Sequence, residues 1–207
     1  MNRTLHKVSV LGTVLTLLTV LAVNDAVAQI PHERTGWMLG ISWGLGKGRF
    51  RDAAGDETEI KDGASPQWRI GKFLSRRWLV HFEYEGWLIE NGDLAQKYRR
   101  SLQNFLVAVT YYPGNPDNYW GGLYLRFGVG LGLGGTALVE LEDQEQVSGI
   151  RHDEAGTGVL VGFGYEFRIC RSFAAGIGLS SNYLNIRKDF IYEAWFIPLK
   201  INLSWYF

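Results

Sequence analysis

Residues 36–47 read Gly-Trp-Met-Leu-Gly-Ile-Ser-Trp-Gly-Leu-Gly-Lys. Trp37, Leu39, Ile41, Trp43 and Leu45 occupy alternate positions, and Gly36, Met38, Gly40, Ser42, Gly44 and Gly46 stand between them. Successive side chains of a strand point to opposite faces, so this period-two pattern predicts a strand with one large apolar face and one small face. The pattern recurs at 123–134, where Leu123, Leu125, Phe127, Val129, Leu131 and Leu133 oppose Tyr124, Arg126 and four glycines. At 158–169, Val159, Val161, Phe163, Tyr165, Phe167 and Ile169 oppose Gly158, Leu160, Gly162, Gly164, Glu166 and Arg168. At the carboxyl end, Trp195, Ile197, Leu199, Ile201, Leu203, Trp205 and Phe207 oppose Phe196, Pro198, Lys200, Asn202, Ser204 and Tyr206.

The residue types decide which face is inside. A water-soluble barrel turns its large apolar residues inward; here the second face mixes glycine with charge, which suits a narrow interior filled by small residues and ion pairs inside a greasy wall. Strands of about ten residues match the ~9–11 that cross a bilayer at a tilt. Mean hydropathy is only −0.07 although 14% of residues are aromatic, as expected when apolar positions alternate with polar ones instead of running together.

Four further segments complete the count. Residues 67–74 are ambiguous in phase between Trp68/Ile70 and Arg69/Phe73. Residues 78–88 set Trp78, Val80, Phe82, Tyr84 and Leu88 against His81, Glu83, Glu85 and Trp87, and 102–112 offer Phe105, Val107, Val109 and Tyr111 as the lipid face. Residues 173–183 turn Phe173, Ala175, Ile177 and Leu179 outward. Short links (75–77, 113–118, 170–172) alternate with longer polar ones (48–65, 90–100, 140–155, 185–192). The expected fold is therefore all-β: an eight-stranded antiparallel up-and-down transmembrane barrel with short turns at one end and long loops at the other. Trp37, Trp78, Tyr111, Phe167, Phe173 and Trp205 would form one aromatic girdle, and Trp43, Trp68, Tyr84, Tyr183 and Trp195 the other.

The first 28 residues read as a leader. Arg3 and Lys7 precede an apolar stretch over 8–23, and Ala26-Val27-Ala28 offers a small-x-small cleavage site, so the mature chain would begin at Gln29. The expected organisation is a signal peptide over 1–28 and one barrel domain over 29–207. The 21 basic and 21 acidic residues balance, which argues against a nucleic-acid partner. Cys170 is the single cysteine, so no intrachain disulfide forms.

On these strands and links the chain resembles the small eight-stranded outer-membrane proteins of the OmpA-transmembrane and OmpX type. The terminal Ile201-x-Leu203-x-Trp205-x-Phe207 is similar to the assembly signal of that class, a strand recognised by edge addition to the barrel assembly machinery. The resemblance implies an outer-membrane location, outer-membrane lipid and lipopolysaccharide as surroundings, and a monomer.

The inward charges Arg69, Glu83, Glu85, Arg126, Glu166, Arg168 and Lys200 are expected to pair in the lumen, because buried charges persist only when partnered. Arg69 should lie level with Glu83, and Arg126, Glu166 and Arg168 share neighbouring strands. His81, Glu83 and Glu85 invite a metal reading, but same-face neighbours lie ~6.8 Å apart, too far for one tetrahedral ion. Gly130-x-Gly132-x-x-Gly135 matches a dinucleotide fingerprint as a string, with no helix after it. Ser181-Asn182 and Glu193 resemble part of the motif of outer-membrane lipid A deacylases, but Leu179 stands where the base His should be, leaving Ser181 without a general base. The reading is a non-enzymatic barrel without cofactor or metal, with a structural or surface-interaction role through its loops; a narrow channel and a deacylase-like barrel with an incomplete motif are the alternatives.

Overall fold

The computed structural model describes residues 34–51, 60–91, 97–115, 119–139, 151–186 and 193–207. The expected cleavage site and most of the longer links lie outside these described residues. Eight strands follow in order: β1 (Trp37–Arg51), β2 (Lys61–Ser75), β3 (Trp78–Asn91), β4 (Lys97–Tyr111), β5 (Leu123–Val139), β6 (Arg151–Cys170), β7 (Phe173–Asn185) and β8 (Glu193–Tyr206). A 3₁₀ turn, Tyr119–Gly122, precedes β5. Each strand pairs antiparallel with its neighbour in sequence, and β1 pairs with β8 to close the barrel. Closure gives every wall strand two hydrogen-bonded neighbours, the condition for a sheet to lie in lipid without orphaned backbone groups.

The alternation in the sequence is the alternation of the wall. Leu45 is 67% exposed, Phe127 54% and Ile201 63%, while Tyr124, Arg126, Lys200 and Asn202 between such residues are buried. The apolar side chains form the outside. The ambiguous segment in β2 is settled by its ladder to β1: Trp68 and Ile70 face out with Leu74, and Gln67, Arg69, Gly71 and Phe73 face in. Cross-strand register brings aromatic residues together near both ends of the wall. At the end carrying the termini, Trp78 meets Tyr111 at 4.5 Å and Phe173 meets Trp205 at 5.1 Å between ring centroids. Toward the other end, Trp68 stacks on Tyr84 at 5.9 Å, and Tyr84 meets Phe105 at 5.1 Å.

The strands are longer than the expected ten residues, running from 13 to 20. Segments expected as loop are ladder instead: 48–51 and 61–65 pair as β1 and β2 extend, 97–100 belongs to β4, and 151–155 belongs to β6. His152, expected in a loop, therefore sits on β6 opposite Gly135.

The seam is closed by a reciprocal pair of backbone bonds, Trp37 N–H to Phe207 O (2.6 Å) and Phe207 N–H to Trp37 O (3.0 Å). Gly36, at φ +79°, turns the chain into β1 there, and a Cβ at that position would run into Phe207 O. Position 36 thus requires glycine on both conformational and steric grounds.

Candidate functional site

Among the described residues, charge, aromatic rings and close packing converge in the lumen, and inward parity delivers residues to it from every strand. It is built in three layers.

The middle layer holds three ion pairs that cross the barrel. Lys200 Nζ on β8 lies 2.5 Å from Glu85 Oε1 on β3. Arg126 Nη1 on β5 lies 3.5 Å from Glu83 Oε2 on β3. Arg69 Nη2 on β2 lies 4.0 Å from Glu166 Oε1 on β6. All six side chains are buried. Ladder register does place Arg69 opposite Glu83, but the ion pair each makes is with another strand. Likewise Arg126 and Glu166 share a strand pair without sharing a partner: the ladder sets Arg126 against Gly162. Arg168 is half-buried, with its guanidinium 3.9 Å over the Tyr206 ring.

Gln67 is the hub that sequence reading missed. Its amide donates to Glu83 and, at 3.1 Å, to Glu85, while its carbonyl accepts from Arg126 at 3.5 Å. Glu85 also accepts from Asn182 (2.8 Å) and Ser65 (3.2 Å), and Asn104 donates to Asn182 (3.1 Å). His81 Nε2 is 2.9 Å from Thr110 Oγ1, and its Nδ1 is 3.6 Å from Glu83. No group of three His, Cys, Asp or Glu side chains among the described residues could hold a metal ion.

Below this layer, toward the termini, Met38, Phe73, Leu79, Tyr112, Tyr124, Ala174 and Tyr206 form a buried cluster. Its hydroxyls reach up to Glu166: Tyr206 donates at 2.6 Å and Tyr112 at 3.1 Å, with Ser204 adding a third donor at 3.1 Å. Arg34, from the segment before β1, is buried beneath it, 3.6 Å over the Tyr112 ring and donating to Gly121 O at 2.5 Å. Above the middle layer, Phe50, Trp87, Leu102, Leu184, Ile186, Ala194 and Phe196 form a second, apolar cluster in which Trp87 stacks on Phe196 at 5.0 Å. The parity of Trp87 and Phe196 was readable, and it was the one signal available for this layer. Arg34 lies outside any alternating segment and carried none.

The glycines between these groups are where large side chains lie. A Cβ at Gly164 or Gly178 would collide with the Tyr124 hydroxyl, and one at Gly63 with the Trp87 indole. On the outer wall, Ser181 Oγ accepts the Trp195 indole N–H at 2.6 Å. Glu193 pairs with Arg51 at 3.4 Å across the β1–β8 seam. Of the deacylase-like residues, Ser181 and Glu193 are thus engaged in wall contacts, and Asn182 in the lumen network.

No family model and no curated protein sequence matches the chain. Among solved structures it is similar to Neisserial surface protein A (NspA), with a TM-score of 0.57 at 11% identity over 82% of this chain and 97% of that one. It is also similar to Ail, the attachment invasion locus protein of Yersinia pestis (TM-score 0.49, 15% identity, 81% of this chain and 99% of that one). The N-terminal barrel domain of Pseudomonas aeruginosa OprF follows at a TM-score of 0.39 and 19% identity, over 81% of this chain and 96% of that one. The likeness to NspA is one of fold: this chain has the closed, eight-stranded, up-and-down architecture of the small outer-membrane barrels.

Proposed function

We propose that the protein is a non-enzymatic outer-membrane barrel, exported by its leader and cleaved before Gln29, that keeps its lumen closed and acts through the segments joining its strands at the outer end. The observation that carries this reading is the three-layered filling of the lumen, with an apolar cluster above and an aromatic cluster below three crossed ion pairs. An eight-stranded barrel is just wide enough to be filled by side chains, and here buried side chains from all eight strands fill it. Among the described residues the histidines are His81 in the lumen and His152 opposite Gly135, and neither gives Ser181 a general base for acyl transfer on the wall. Ile201, Leu203, Trp205 and Phe207 serve as the strand that the assembly machinery reads.

Planar-bilayer recording of the purified barrel tests the closed lumen: little steady conductance is expected, and large, sustained conductance would make a channel the better reading. The membrane seat has its own test. Val161 is 49% exposed on the middle of β6, and Val161→Arg should cost ~2–4 kcal/mol of folding stability in bilayers, the range for a cation facing lipid near the midplane. Unchanged stability would remove the lipid-facing assignment.

A further inference from the structure

The turns at the end of the barrel that carries the termini are basic. The crossed pairs of the lumen cancel. Among the described residues, the end with the termini carries Arg34, Lys72, Arg76, Arg77, Arg168 and Arg171. Among the described residues, the only side-chain carboxylate at that end is the buried Glu166.

The exposed cations there are set beside the aromatic girdle. Arg76 and Arg77 form the β2–β3 turn, next to the Trp78–Tyr111 pair; the turn is held by Arg77 N–H to Ser75 Oγ (3.3 Å) and by Tyr112 N–H to Arg77 O (2.9 Å). Arg171 sits in the β6–β7 turn, next to the Phe173–Trp205 pair, and that turn is held by Tyr206 N–H to Ser172 O (2.9 Å). Lys72 Nζ lies 5.9 Å from the Trp37 ring centre. Fixed turns thus hold these cations just outside a belt of lipid-facing rings, the height at which headgroup phosphates lie.

We propose that this end of the barrel binds the phosphates of anionic phospholipids in the leaflet that surrounds it. The proposal rests on the reading of the barrel as membrane-spanning. The β2–β3 and β6–β7 turns stand on opposite sides of the closed sheet, and each has its own aromatic pair. A ring of separate headgroups meets such an arrangement better than one folded partner, which needs a contiguous patch.

The test uses the full barrel in nanodiscs of equal phosphatidylglycerol and phosphatidylcholine, with native mass spectrometry of the lipids retained after release. Phosphatidylglycerol should be enriched about fivefold over the bulk ratio, as for one favourable cation–headgroup contact. Arg76→Gln/Arg77→Gln/Arg171→Gln should return the ratio to bulk, whereas Lys47→Gln/Arg49→Gln at the opposite end should leave it enriched. In 1 M salt, where screening acts within ~3 Å, wild-type enrichment should also vanish, which keeps the proposal testable if the triple variant fails to insert. An unenriched wild type, or enrichment that survives the triple substitution or the salt, overturns it. Sedimentation with polyglutamate or peptidoglycan, lost in the triple variant and without lipid enrichment, would reassign the cations to an acidic polymer. Failure of wild-type barrel to float with liposomes would instead defeat the membrane reading beneath it.

Discussion

The middle of the lumen holds Lys200–Glu85, Arg126–Glu83 and Arg69–Glu166 with a net of amides and hydroxyls, while its outer end holds Trp87, Phe196, Phe50, Leu102, Leu184 and Ile186 with no charged member. Both regions are buried, but they are held by different physics. In the middle, attraction between charges is offset by the cost of removing them from water, so the pairs add little net stability although breaking one is expensive. Nor is that layer fully satisfied: Arg69 Nε and Nη1, Arg126 Nε, Ser42 Oγ and Asn202 Oδ1 find no protein hydrogen-bond partner. At the outer end, rings and aliphatic side chains in contact gain from burial and present nothing that would draw water in. On the closed-lumen reading proposed above, specificity of closure belongs to the middle and exclusion of ions to the ends.

The largest effect should come from the middle. Glu83→Ala/Glu85→Ala strips Arg126 and Lys200 of their carboxylates together. Each bare buried cation costs ~3–5 kcal/mol, with less than full additivity because both carboxylates share Gln67. Denaturant unfolding of the refolded barrel should show a loss on the order of 5 kcal/mol, with conductance still low because both end layers are intact. Conductance without loss of stability would exchange the roles of middle and ends.

Trp87→Ala probes the other side of the comparison. Removing the indole from its stack on Phe196 should cost ~3–5 kcal/mol, as for large aromatic truncations in packed cores. It should also raise single-channel activity above wild type and above the double glutamate variant. If bilayer recordings of the two variants cannot be told apart, the ends are not the barrier.

The same contrast explains what was legible in the sequence. β1, β5, β6 and β8 could be read because lipid on one side and a tight lumen on the other impose strict alternation from Trp37 to Leu45 or Leu123 to Leu133. Above the apolar band that pressure stops while the ladder continues, so Arg49 on β1 or Arg99 on β4 looked like loop although they are paired. In β2, outward Lys72 and inward Phe73 invert the usual types and blurred the phase. Inward charges were visible by parity, yet their partners were not: Arg69 meets Glu166 from the far wall, a distance set by the closure of the barrel and not by neighbouring register. Arg34 and Gln67 were missed for the simpler reason that a lone Arg before a strand and a neutral amide carry no pattern.

The smallest effect distinguishes two glycines two residues apart on β6. A Cβ at Gly162 would stand 3.1 Å from Leu179 O, 3.4 Å from Ser180 Cβ and 3.5 Å from Arg126 Nε. Slight movement relieves these contacts, and alanine there also restricts the unfolded chain, a gain of ~0.4–1 kcal/mol. Gly162→Ala should therefore lie within about 1 kcal/mol of wild type, since the two terms offset. At Gly164 the Cβ would meet both Ile177 O and the Tyr124 hydroxyl, and the hydroxyl accepts from Asn202 at 3.0 Å. A ladder carbonyl can give a few tenths of an ångström, as at Leu179, but not the larger overlap at Ile177, and the ring is packed between Gly164 and Gly178, so Gly164→Ala should cost ~1–3 kcal/mol by overpacking. Tyr124→Phe in the Gly164→Ala background should recover part of that loss by withdrawing the oxygen, while Ile177 O keeps the recovery incomplete. Unfolding curves of the three variants against wild type provide the check: equal costs at the two glycines would mean that the lower layer is loose, and that the aromatic floor is not the tight seal set against the charged middle.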